Sequence, residues 1–194
     1  MCGKFYYDEE TFEYIKKIVD EIDYEEDKNH FDYSPGEKIP VIIFKDKKLV
    51  LDHMTWGYTI SQNQQRVINA RSETLFQKKF FKDDDKLYRC VIAAKGFYAW
   101  DNQKNKISFE RRKMKMIFMG GIYHPHKKEI AIITVPAHEN IKSIHPRMPF
   151  IIEYENIKKW LVNEENIEKY LSPSLNEIEV VAGHIQQSLF DENE

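Results

Sequence analysis

Residues 88–100 read YRCVIAAKGFYAW, and the reading of this stretch decides the fold class. Branched and aromatic side chains recur through it, the kinds that pack well on a pleated, half-buried surface, so it reads as strand. Working outward, four more runs have the same character: PVIIF at 40–44, KLVLDHMTWG at about 48–57, KMIFMGGIY at 115–123 and EIAIITV at 129–135. Helical spacing is confined to short segments. Phe12, Ile15, Val19 and Ile22 predict a helix at about 10–23, with Asp8 or Thr11 as its cap. Shorter helices fit at about 73–81 and at 153–161, where Ile157, Trp160 and Leu161 form one apolar stripe. No regular strand–helix–strand alternation supports a parallel sheet, so the expectation is a single β-rich α+β domain over residues 1–194 with peripheral helices. Asp20, Glu21, Asp23, Glu25, Glu26, Asp27 and Asp32 precede DYSPGEKIP, which reads as a solvated acidic loop over about 20–37.

Composition narrows the functional classes. The chain has 194 residues, and 29 Lys plus Arg against 32 Asp plus Glu give a net charge of −3. Charged residues at 31% beside an apolar class of 42% exclude disorder for most of the chain. No apolar run approaches the roughly 18 residues a membrane span needs, and MCGKFYYDEE has no secretory h-region, so a cytoplasmic protein without membrane contact is expected. Two cysteines, Cys2 and Cys90, are too few for a disulfide framework or a Cys-rich zinc site. No metal or cofactor is expected, and the chain reads as a monomer.

Two features carry possible chemistry. Between Lys104 and Lys115 lie six basic residues (Lys104, Lys106, Arg111, Arg112, Lys113, Lys115) against Glu110 alone, which reads either as a solvated hairpin or as a phosphate-facing rim. The second is Cys2. Removal of Met1 leaves an α-amine and a thiol on adjacent carbons, titrating near 7.7–8.0 and 8.5 when unperturbed. Such a 1,2-aminothiol attacks an aldehyde twice, first as an amine to give an imine and then through sulfur to close a thiazolidine. The plainer reading is a small residue at the start of a strand.

Cys2 gains weight from three later segments, INARSET at 68–74, KGFYAW at 95–100 and IHPRMP at 144–149. Met-Cys-Gly, Asn-Ala-Arg-x-Glu, Gly-x-Tyr-x-Trp and His-x-Arg-Met-Pro, in that order over about residues 2 to 161, resemble the SRAP (SOS response-associated peptidase) family. Trp56-Gly57 fits the family's Trp-Gly element. The resemblance implies a β-rich α+β domain, nucleoid-associated, with a positive groove for single-stranded DNA containing abasic sites. It implies Cys2 as covalent nucleophile after loss of Met1, Asn69 beside it, and His145 as acid or base. Arg71 and Arg147 match positions that contact phosphates around the lesion, and Trp56 a stacking or wedging residue. Histidine suits proton delivery near neutral pH, an amide can hold the Cys2 amine or a sugar oxygen, and Glu73 reads as the partner of a neighbour. His138 and His184 read as structural, and Trp100 as core.

Two positions depart from the family pattern. Ala99 stands where the family has a glutamate, and Asp101, two residues along the same strand face, is the candidate substitute acid. Pro146 follows the histidine where aspartate is usual. Three functions remain open: a covalent abasic-site sensor forming a DNA–protein crosslink, a non-covalent single-strand binding module, and a thiol autopeptidase using Cys2 and His145.

Overall fold

The computed structural model describes residues 2–23, 32–60, 65–82, 86–112, 116–162, 171 and 178–184. In chain order the elements are β1 (Lys4–Tyr6), α1 (Glu9–Ile18), β2 (Glu21–Ile22), β3 (Asp32–Tyr33), β4 (Lys38–Lys45), β5 (Lys48–Trp56), β6 (Tyr58–Thr59), β7 (Arg66–Val67) and β8 (Asn69–Arg71). They continue with β9 (Tyr88–Ala94), β10 (Gly96–Trp100), β11 (Lys106–Arg111), β12 (Ile117–His124), β13 (Glu129–Pro136), α2 (Glu139–Lys142), β14 (Arg147–Pro149), α3 (Ile157–Val162) and β15 (Ile178–His184). The fold is a β-rich α+β architecture. One sheet has the order β15-β11-β10-β1-β3 and a larger one β14-β13-β12-β9-β4-β5-β2.

The larger sheet curls until β13 meets β5 in parallel, Glu129 opposite Thr55 and Ile130 opposite Trp56. Strands β13, β12, β9, β4 and β5 thus close on themselves, which removes their open edges and puts Ile39, Val41, Ile92, Met119, Ile130 and Ile132 on one shared, buried face. The β4–β5 hairpin turns through Asp46 and Lys47, both at positive φ, the handedness a two-residue hairpin requires. The sheets are mainly antiparallel, as the missing strand–helix–strand alternation implies, with β2–β5, β5–β13 and β8–β13 as short parallel ladders.

The run 88–100 is two strands. β9 belongs to the closed sheet and β10 to the other, and the chain passes between them at Lys95, whose amide donates to the Tyr6 carbonyl at 2.8 Å. Gly96 makes the switch possible: a Cβ there would lie 2.5 Å from the Phe109 carbonyl oxygen and 2.6 Å from the Tyr6 hydroxyl. Beyond it Phe97 stacks on Phe109, ring centroids 5.1 Å apart.

Helices are shorter than the periodicity predicts. α1 is capped by Asp8, which accepts from the Thr11 amide at 2.8 Å, but it stops at Ile18. The Asp20 amide donates to the Leu49 carbonyl at 2.8 Å, and the open edge of β5 then takes Glu21–Ile22 as a strand. Part of the acidic loop is therefore sheet, while its residues 24–31 lie outside the described residues. The segment 73–81 forms two 3-10 turns, Ser72–Gln77 and Lys79–Phe81. The segment 153–161 is one 3-10 turn, Tyr154–Asn156, followed by α3, with Ile157, Trp160 and Leu161 buried as expected.

Because backbone as well as side chain blocks any added carbon at residue 96, Gly96→Ala is expected to cost about 1–3 kcal/mol. The denaturant midpoint of the variant measures this, and an unchanged midpoint would show that the sheet switch has room to spare.

Candidate active site

β13 organises the site. Near its C-terminal end it carries β8 on one side, with Asn69 opposite Ile132 and Arg71 opposite Thr134. On the other side it carries β14, with Arg147 opposite Pro136. Strand alternation sends Ala70 into the core at 1% exposure and leaves Asn69 and Arg71 on the other face.

Asn69 fixes the start of the chain: its Nδ2 donates to the Cys2 carbonyl at 2.9 Å. Its Oδ1 is buried and accepts no hydrogen bond among the described residues, so an acceptor stands ready beside Cys2. Cys2 is itself buried, with Sγ 3.8 Å from the Lys4 carbonyl. Burial pushes its thiol up to about 12, against the opposing pull of the positive amino terminus and the Lys4 backbone. In this state sulfur is a protonated thiol.

His145 sits between α2 and β14, its amide donating to the Ile141 carbonyl at 2.9 Å. Burial lowers its pKa against the opposing pull of the Arg147 backbone, and the positive charges of the amino terminus and Arg147 lower it further. These influences together favour the neutral imidazole. Its Nδ1 lies 2.9 Å from the Arg147 carbonyl oxygen and 3.1 Å from the Arg147 amide nitrogen. The backbone of Arg147 thus orients the imidazole where the family usually has aspartate and this chain has Pro146.

The Arg147 side chain does not face an open groove. Its Nη1 and Nη2 donate to the two carboxylate oxygens of Glu73 at 2.8 and 2.9 Å. Nε donates to Thr134 Oγ1 at 3.2 Å and Nη2 to the Thr134 carbonyl at 2.6 Å. The guanidinium beside Glu73 holds that carboxyl down at about 2. Glu73 therefore pairs as expected, whereas the phosphate contact expected of Arg147 is occupied by a carboxylate. Arg71 is exposed and has no ion-pair partner among the described residues.

Three other expectations are corrected. Trp56 is fully buried, donates from Nε1 to the Ile68 carbonyl at 2.9 Å and packs on Phe5, so no ring face is open for stacking or wedging. Asp101 does not continue the strand. Its Oδ1 accepts from the Gln103 and Asn105 amides at 2.8 Å each, and Oδ2 from Asn105 Nδ2 at 2.9 Å, so both oxygens cap the β10–β11 turn and no substitute acid is available there. Trp100, read as core, is 37% exposed at the end of β10. The β1–β10 pairing ends with Lys4 opposite Tyr98, two residues short of Cys2.

Of the basic run, Arg111 is buried against Glu153 at 2.8 Å, Arg112 pairs with Glu179 at 3.5 Å and Lys106 lies 3.7 Å from the Tyr98 ring centroid. Those charges serve the sheet and not a shared rim. His138 precedes α2 without capping it through its side chain. Thr134, fully buried, is a site residue the sequence reading missed, because a threonine inside EIAIITV signals only strand. No cluster of three or more His, Cys, Asp or Glu side chains suited to a metal occurs among the described residues.

The geometry sets Cys2 against the Asn69 amide and, on the other neighbouring strand of β13, the Arg147 peptide against the His145 imidazole. A family model described as SOS response associated peptidase (SRAP) matches residues 1–187, and the chain belongs to that family. It is 30% identical over 193 residues to abasic site processing protein YobE of Bacillus subtilis (strain 168), covering 90% of this chain and 88% of that one. It is 25% identical over 179 residues to abasic site processing protein YedK of Escherichia coli (strain K12), covering 84% and 81%. A crystal structure of a protein from Bordetella bronchiseptica shares the fold, with a TM-score of 0.75 at 17% identity over 93% of this chain and all of that one.

The Glu73–Arg147 pair has a pH signature. A carboxyl held below its ordinary value stabilises the fold above the unfolded pKa, and that contribution fades as pH falls through the folded value. Glu73→Gln is expected to lower the melting temperature at pH 7 and to make progressively less difference between about pH 4.5 and about 2. Melting curves across that window measure it, and a deficit independent of pH would contradict the ion pair.

Proposed function

We propose that the protein captures abasic sites in single-stranded DNA covalently, through Cys2 after Met1 has been removed. The observation that carries this reading is the hold of Asn69 on the Cys2 carbonyl at 2.9 Å, which gives Cys2 a fixed place. Family membership and the printed names of the relatives support the lesion as the substrate class.

The chemistry balances without redox change or cofactor. The α-amine of Cys2 adds to the aldehyde carbon of the ring-opened deoxyribose, and neutral His145 moves a proton from the nitrogen to the oxygen. His145 then takes a proton from solvent and donates it to the departing hydroxyl, water leaves and an iminium remains, and the thiol proton released at ring closure repays that proton to solvent. The Cys2 thiol, kept protonated by burial until this point, gives its proton to His145 as sulfur closes on the iminium carbon. One C–N and one C–S bond form, the C=O bond is lost, and one water is released carrying a proton from the amine and one from the thiol. Asn69 Oδ1 accepts from the amine and holds its lone pair toward the carbonyl. Arg71 supplies the exposed phosphate contact, and Trp100 an exposed ring for a neighbouring base. All these groups belong to one chain, so a monomer suffices, working with the nucleoid in the cytoplasm. No helix among the described residues is long and apolar enough to cross a membrane.

Ala99 and the capped Asp101 favour a second reading, single-strand binding without the covalent step. Single-stranded oligonucleotides with and without an abasic site, incubated with the protein and run on a denaturing gel, separate the two. The covalent reading predicts a shifted band with the lesion only, lost in Cys2→Ala and slowed about 10²-fold or more in His145→Ala. Binding that is lost with salt and leaves no band would establish the second reading and overturn the first.

A further inference from the structure

We propose that Glu73 is a positioning residue for His145: by clamping the Arg147 side chain it holds the Arg147 peptide against the imidazole and so selects the tautomer of the ring. The inference rests on the proposed function for its role in catalysis, though not for its geometry. Ala137 donates to the Pro146 carbonyl at 3.0 Å and Phe150 to the Ile133 carbonyl at 2.8 Å. The first bond borders the Arg147–Pro136 pair and the second the Thr134–Pro149 pair two residues on, an alternation that makes Arg147 and Pro136 a non-hydrogen-bonded pair, so the N–H and C=O of Arg147 both point away from β13. Both are left to His145 Nδ1, at 3.1 and 2.9 Å.

One ring nitrogen cannot donate and accept at once. With a proton on Nδ1 the ring bonds the carbonyl and presents a bare Nε2, which takes protons. With Nδ1 bare it accepts from the amide and presents Nε2–H, which gives one. A small rotation of residue 147 favours one state over the other. The clamp opposes that rotation: Glu73 grips the guanidinium with both oxygens, and Thr134 holds its other edge. The same short segment therefore holds Cys2 through Asn69 at one end and the His145 loop through Glu73 at the other.

Nitrogen-15 NMR of histidine-labelled full-length protein reads the tautomer directly, and single-turnover capture of an abasic oligonucleotide reads the chemistry. One tautomer is expected to dominate His145 in the wild type, and Glu73→Gln to move the two ring nitrogens toward an averaged shift. The maximal capture rate should fall about tenfold, since the orientation is supplied at one remove, with the half-saturating DNA concentration within about twofold. Glu73→Asp, which keeps the charge, should recover part of both. A folded Glu73→Gln protein with an unchanged His145 tautomer would overturn the proposal, whatever its melting temperature or capture rate. Should that variant not fold, Thr134→Val, which removes only the Oγ1 contact, carries the same measurement. A wild type that captures nothing would overturn the proposed function, while the NMR comparison would still decide the role of Glu73.

Discussion

The hydrogen bond from Asn69 to the Cys2 carbonyl is the constraint on which the site depends. A chain start ordinarily frays, and a nucleophile placed there has no defined direction. Here Cys2 is buried and tied across 67 residues of sequence to a strand that is itself locked into the closed sheet. β13 makes that possible. It pairs with β12, β5, β8 and β14 in turn, so one strand sets the height of Asn69, Arg71, Thr134 and Arg147 together.

Burial gives the site its chemical order. A thiol pushed up to about 12 is a poor first nucleophile, so in the proposed capture the amine leads and sulfur follows once a cationic carbon is beside it. A histidine held neutral by burial can take a proton at neutral pH, and the adjacent peptide of Arg147 offers it both a donor and an acceptor. The position filled by glutamate in the family pattern is a buried alanine, so the proposed reaction assigns its proton traffic to His145.

Much of the fold was legible because strand patterning is local. All five apolar runs are strands within a few residues of the bounds read from sequence, and Asp8 caps α1 as read. What failed was decided by partners far along the chain. The helical spacing of Val19 and Ile22 lost to the open edge of β5, and YRCVIAAKGFYAW divided where Gly96 lets two backbones approach. At the site, Cys2 and Asn69, singled out by the motifs, lie in hydrogen-bond contact, but the surroundings of Arg147 and Trp56 depend on pairing and burial that no spacing encodes. The bidentate pair with Glu73 spans 74 residues and has no periodic signature. Asp101 was the avoidable error, since DNQKN carries the residues of an Asx turn and reads as one without any tertiary information.

The central claim is that the first residue of the mature chain forms both bonds to the lesion. Mass spectrometry of the proteolysed adduct tests it most directly. The account predicts an N-terminal peptide that begins at Cys2, carries the sugar remnant with the loss of one water, and has neither a free thiol nor a free α-amine at that residue. An adduct on an internal lysine, or a captured peptide that still begins with Met1, would contradict it.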